Sequence, residues 1–327
     1  MITFATNVRA MWGTAIFVCA YLFLSAQAAF GLNITATQVA LGTTIPGSSL
    51  QSSAAPGTAT GGGNLAAIFG AAANYWEQSI FDNFNLLISY AWAPLGPGVA
   101  ATEITTSTGF DGAGVYRNLN ASIIFSTTGL NWFLDATPTD NSEYASYFKS
   151  ANPLGTAQSI NTGVRYSNPT TIPAGNLDLL MAAAHEIGHA LGLDDAYAGY
   201  IDQLQGSNII VSSLTSSLYQ GATIPTFGRS SAHINPASSN LGDSLMQTSL
   251  GSGIRILPST ADILVVCQSS SFTQCNNGPS GNEVPEPGTV SLFFSGLALI
   301  FLRSSSIAGK EMGSKNRLTC LVRRIRR

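Results

Sequence analysis

Charge is scarce in this chain: only 9% of its 327 residues are Asp, Glu, Lys or Arg. Cations are scarcer still in its middle. Of fourteen Lys and Arg, Arg9 and eight from Arg303 onward lie near the ends. Only Arg117, Lys149, Arg165, Arg229 and Arg255 remain between residues 29 and 282. Fourteen acidic residues share that span, so its net charge is near −9 against −3 for the whole chain. A surface so poor in cations excludes nucleic acid as a partner. Cysteine is also sparse, with four in all, and only Cys267 and Cys275 fall in the central span. Neither has metal-site spacing or a neighbouring His, which excludes a thiol nucleophile; with seven residues between them, they suit a local disulfide in an oxidising compartment. Long apolar runs are confined to the two ends, and no internal repeat or acidic calcium-binding loop is visible. Gly, Ser, Thr and Ala are abundant, as in an exported, loop-rich protein.

The ends read as targeting signals. Arg9 is followed by the apolar run Met11 to Leu24 and by Ala26-Gln27-Ala28, small residues suited to cleavage, so residues 1–28 are expected to be a signal peptide. Cys19 follows Val18 rather than a small residue, which argues against lipidation. At the other end, Val284-Pro-Glu-Pro-Gly-Thr289 precedes the apolar segment 290–302 and a basic tail, 303–327. Prolines flanking Glu286 keep that element extended. The arrangement resembles the PEP-CTERM sorting signal. The resemblance implies export across the inner membrane, recognition by an exosortase-type machinery, membrane contact before processing, and a final place at the cell surface or in the extracellular matrix. The apolar segment is shorter than the roughly 20 residues of a comfortable span, and Arg323–Arg327 lies well behind it. An ordinary tail anchor is the alternative.

Histidine is the third scarcity, and the most informative. The chain has three His, and two stand in His185-Glu-Ile-Gly-His-Ala-Leu-Gly-Leu-Asp-Asp195. Good helix formers, Leu177 to Ala184, precede the motif, with Asn176 as the expected N-cap. On that helix His185 and His189 lie one turn apart on one face, so both imidazoles can reach one ion. Glu186 can hold a metal-activated water and take its proton. A continuing helix would carry residue 195 about 9 Å beyond His189. Gly192 can instead end the helix in a left-handed turn and bring Asp195 back as third ligand.

The pattern His-Glu-x-x-His-x-x-Gly-x-x-Asp resembles the metzincin zinc endopeptidases, in the minority form with Asp in place of a third His. The resemblance implies an α+β fold: a mixed twisted sheet, two long helices and a loop-rich C-terminal subdomain with a Met-turn. Ser244-Leu-Met-Gln247 matches that turn, which implies Met246 beneath the metal ligands. His233 is the alternative third ligand, or a transition-state donor, or a packing residue. Asp194 competes with Asp195 by adjacency alone. No Tyr follows Tyr219 to act as the extra donor some metzincins use, and no Cys precedes Cys267 in the mature span to act as a latency switch.

Residues 29–278 are expected to form the catalytic domain, joined by a linker, 279–289, to the sorting segment. Within it, Leu32–Leu41, Asn85–Trp92 and Ala121–Ser126 read as strands, Leu65–Phe81 and Thr260–Cys267 as helices, and Thr43–Asn64 as a loop without core-forming composition. The resemblance makes Ala121–Ser126 the candidate edge strand for substrate. The implied activity is Zn²⁺-dependent hydrolysis of protein or peptide substrates, with His185, His189 and Asp195 as ligands and Glu186 as general base. The alternatives are a surface or biofilm-matrix protein that keeps the scaffold without proteolysis, and a metal-dependent hydrolase of a non-peptide substrate.

Overall fold

A computed structural model of the chain describes residues 31–237 and 241–275. The signal-peptide, linker, sorting-segment and tail expectations lie outside them. No helix among the described residues is long and apolar enough to cross a membrane.

The fold is α+β. Strands β1 (Leu32–Gln38), β2 (Phe84–Ala93), β3 (Ala101–Phe110) and β4 (Tyr116–Ser126) form one mixed sheet in the order β1-β2-β4-β3. β1, β2 and β4 run parallel, and β3 pairs antiparallel with β4. Helix α1 (Leu65–Glu77) links β1 to β2, and α2 (Leu179–Ala190) carries the His-Glu-x-x-His motif. α1 starts where Asn64 caps it, the side-chain oxygen accepting from the Ala67 N–H at 2.9 Å. Its inner face buries Ile68, Phe69, Tyr75 and Trp76; Phe69 stacks on Tyr90 of β2 at 4.2 Å between ring centroids. The Trp76 indole N–H donates to the Ala184 carbonyl at 2.8 Å, joining the two helices across the core.

The expected edge strand was misplaced. Ala121–Ser126 belongs to β4, which has neighbours on both sides, and the exposed edge is β3. The reason is readable in hindsight. Ala-Ser-Ile-Ile-Phe-Ser is buried throughout, as an interior strand must be, whereas the Thr-rich β3 is only partly covered. The loop 43–64 has no regular element of its own beyond isolated bridges, yet it does contribute core: Ile45 is fully buried with Ala91, Ala93 and Ile124 on the second face of the sheet.

Short strands β5 (Trp132–Phe133) and β8 (Leu177–Asp178) pair in parallel, and β6 (Tyr144–Asn152), β7 (Ile160–Pro169) and β12 (Arg255–Leu257) form an antiparallel sheet. Beyond α2 come α3 (Ala198–Gln203), a small sheet of β9 (Leu204–Gln205), β10 (Asn208–Ile210) and β11 (Thr223–Pro225), and a last helix, α4 (Thr260–Ser269). A disulfide joins Cys267 in α4 to Cys275.

Pairing with β5 corrects the expected start of α2. The Leu177 N–H bonds the Asn131 carbonyl, which keeps the chain extended through Asp178. Asp178 is therefore the N-cap and accepts the Met181 N–H at 2.9 Å. Asn176 donates instead to Thr60 Oγ1 and to the Trp132 carbonyl. The other Asp178 oxygen meets the fully buried Arg255 guanidinium at 2.9 Å. Arg255 also pairs with buried Asp135 at 2.5 Å and donates to the Asp140 carbonyl and Asn141 Oδ1.

Removing this cation would strand two buried carboxylates. Arg255→Ala should lower the unfolding free energy by about 3–5 kcal/mol in urea titrations; a loss below about 1 kcal/mol would contradict the network's role.

Candidate metal centre

Helix α2 is buried on nearly every side, which its unbroken run of Leu, Met and Ala permits. It places His185 and His189 one turn apart, with their Nε2 atoms 3.0 Å from each other. His233 arrives from the loop after the 3₁₀ turn Gly228–Ser230, and its Nε2 lies 3.2 Å from that of His189. Two imidazoles bound to one tetrahedral ion at 2.0–2.1 Å would have nitrogens about 3.3 Å apart. Among the described residues, these three His form the one group of His, Cys, Asp or Glu close enough to share a metal ion.

The opposite ring edges fix the proton positions. His185 Nδ1 lies 2.8 Å from the Leu245 carbonyl, and His189 Nδ1 meets the Leu193 carbonyl. A carbonyl only accepts, so both Nδ1 atoms carry the proton and both Nε2 atoms present lone pairs to each other. Lone pairs facing across 3 Å repel unless a cation lies between them. Ser231 Oγ, 2.7 Å from His233 Nδ1, orients the third ring. Burial, with the neighbouring imidazoles, depresses His185 strongly and takes His233 down to about 3; burial also lowers His189. All three are neutral at pH 7, as metal ligands must be.

Asp195 does not join the group. Gly192, at φ 120°, ends α2 as expected, with the Gly192 N–H on the His189 carbonyl and the Leu193 N–H on that of Gly188. The returning chain brings the Leu193 carbonyl to His189 rather than a carboxylate to the ion. It then turns again at Asp194, whose Oδ1 accepts the Ala196 N–H, and Asp195 is left exposed on the cavity wall. In the structure His233, the alternative of the sequence reading, occupies the third position.

Met246 is fully buried against Gly188, between the two motif His. A Cβ at Gly188 would lie 2.4 Å from the Met246 sulfur and 3.0 Å from Trp76, so no larger residue fits there. The turn holding Met246 is fixed by Asp262, in the first turn of α4. This buried carboxylate accepts from Ser244 Oγ, the Leu245 N–H (3.1 Å), the Met246 N–H (2.9 Å), the Ser259 N–H (2.8 Å) and Ser259 Oγ (2.6 Å). The turn in turn holds two of the three imidazoles. Its Leu245 carbonyl takes the His185 proton, and its Met246 carbonyl takes the Ile234 N–H, next to His233.

Glu186 is buried beside the imidazoles, on the wall of a cavity of about 780 Å³. Burial raises its carboxyl to about 8, Glu103 adds to the rise, and a bond from the Glu103 backbone N–H opposes it. That bond follows from strand register. The Ser126 N–H pairs with the Ala100 carbonyl, so Ala101 and Glu103 turn their backbone groups away from β4 toward the cavity. Glu103 and Asp262 were not anticipated from the sequence. The only signal for Asp262 was the Ser259-x-x-Asp262 capping spacing.

Outer partners of metal ligands typically govern affinity by 10–100-fold. Asp262→Asn should weaken metal binding within about that range in chelator competition, with far-ultraviolet dichroism retained; unchanged affinity would contradict the coupling through residues 244–246.

No protein-family model matches the chain, and no curated protein matches it.

Proposed function

We propose that this chain is a zinc-dependent endopeptidase of metzincin type, with His185, His189 and His233 as ligands and Glu186 as general base. One observation carries the reading: three imidazoles converge through their Nε2 atoms, those of His185 and His189 unprotonated, with a buried carboxylate beside them. A purely structural zinc normally takes four protein ligands and needs no base. Three ligands and a cavity leave a position open for water and substrate.

Zinc supplies an acidified water and a polarised carbonyl. The protein's part is to hold and move the proton. Glu186, oriented by the Glu103 N–H, takes a proton from the water and returns it to the leaving amine. The outward backbone groups of Ala101 and the Glu103 carbonyl on the β3 edge can pair with an extended peptide. The terminal signals put this chemistry outside the cytoplasm, at the cell surface or in the matrix, after exosortase-type sorting.

Metal analysis and hydrolysis of casein, with and without chelator, test the reading. The wild type should hold stoichiometric zinc and cleave casein. His233→Ala should lose the metal, while Asp195→Ala should keep it. Glu186→Ala should keep zinc and lose hydrolysis by about 10²–10⁴-fold. Metal lost from Asp195→Ala but kept by His233→Ala would overturn the ligand set; near-wild-type hydrolysis by Glu186→Ala would overturn the mechanism.

A further inference from the structure

Beside the imidazoles, the ionisable residues lining the cavity are all acidic: Glu103, Glu186, Asp194 and Asp195. A bound divalent cation favours the ionised form of these carboxyls and balances two of the resulting charges. Elsewhere this cation-poor chain pairs several of its acids with cations, while buried Asp262 is held by neutral donors. Arg117 meets Asp111, Arg165 meets Asp243, and Arg255 meets Asp135 and Asp178. None of the ion pairs among the described residues reaches Glu103, Asp194 or Asp195.

Two of these carboxylates are held close together. Thr105 Oγ1 bonds Glu103 Oε1 at 3.0 Å and Asp194 Oδ2 at 3.4 Å, so a strand side chain and the turn after α2 converge on one hydroxyl. Desolvation, then the charge of Asp194, raises the Glu103 carboxyl to about 8. A cation entering between the two groups offsets both penalties by its attraction to each carboxylate. They stand along the β3 edge, next to the outward backbone groups of Ala101 and Glu103. A substrate strand lying there passes its side chains over this wall.

We propose that the site selects peptides carrying Lys or Arg close to the scissile bond, with the cationic group held between Glu103 and Asp194. The proposal rests on the endopeptidase reading. β3 leads from Ala101 past Glu103 to Thr105, so an antiparallel substrate presents this residue N-terminal to the bond that is cut. The remaining lining toward Leu130, Leu177 and Leu250 is neutral, which confines the charge preference to one side of the metal.

Mapping casein cut sites by mass spectrometry tests the preference, with zinc-loaded wild type, Glu103→Gln and Asp194→Asn. Binding of labelled Ala-rich peptides bearing one Arg, one Gln or one Glu, followed by fluorescence anisotropy, tests the pocket without cleavage. Lys and Arg should be enriched about tenfold at one position N-terminal to the cuts, and each variant should bring that enrichment near one. The Arg peptide should bind about tenfold tighter than the Gln peptide, with the difference lost in both variants. Cleavage without enrichment would overturn this proposal and leave the endopeptidase reading standing. Absent cleavage with Arg-selective binding that Glu103→Gln abolishes would overturn proteolysis and keep the cationic pocket. Neither cleavage nor selective binding would overturn both.

Discussion

The Asp262 carboxylate is the constraint on which the three-His cluster depends. Buried in the first turn of α4, it takes five donors and leaves residues 244–246 one conformation. Everything on the far side of the helix motif follows from that turn. Leu245 sets the tautomer of His185, Met246 fills the notch at Gly188, and the Met246 carbonyl holds the loop that delivers His233. A buried carboxylate normally costs stability; here the five hydrogen bonds offset part of the desolvation, which still pushes the carboxyl above its usual range.

A second carboxylate does comparable work at the other end of α2. Asp178 caps the helix with one oxygen and meets Arg255 with the other. The motif helix is thus fixed at its N-terminus by a buried ion pair, along its side by Trp76 and Met246, and at its C-terminus by the left-handed Gly192. Three imidazoles can converge within about 3 Å only if the elements bearing them hardly move.

The sequence made local features legible and left non-local ones obscure. His185, Glu186 and His189 come together because four residues make one helical turn, and Gly192 stops the helix because it alone adopts φ 120° at no cost. Helix α1, strands β1, β2 and β4, and the Cys267–Cys275 bridge also lay near where pattern and count put them. What failed depended on distant pairing. β3 was invisible because Thr and Ser dominate it, and its edge role depends on β4, which the resemblance had put at the edge. Asn176 looked like a cap until β5 drew residues 177–178 into a strand. His233 lies 44 residues from His189, in a loop with no motif of its own, and long-range bonds such as Ile234–Met246 and Asn235–Pro225 bring it home. Asp195 had the right spacing but the wrong turn: the Asx bond of Asp194 to Ala196 aims the next side chain outward.

The ligand set is the centre of this account, and a crystal structure of the zinc-loaded protein, with the ion located by anomalous scattering, tests it directly. The expected result is one zinc with Nε2 of His185, His189 and His233 at about 2.0–2.1 Å, and Asp195 away from it. Zinc bound by Asp195 with His233 turned aside, or zinc absent from the three imidazoles, would contradict it.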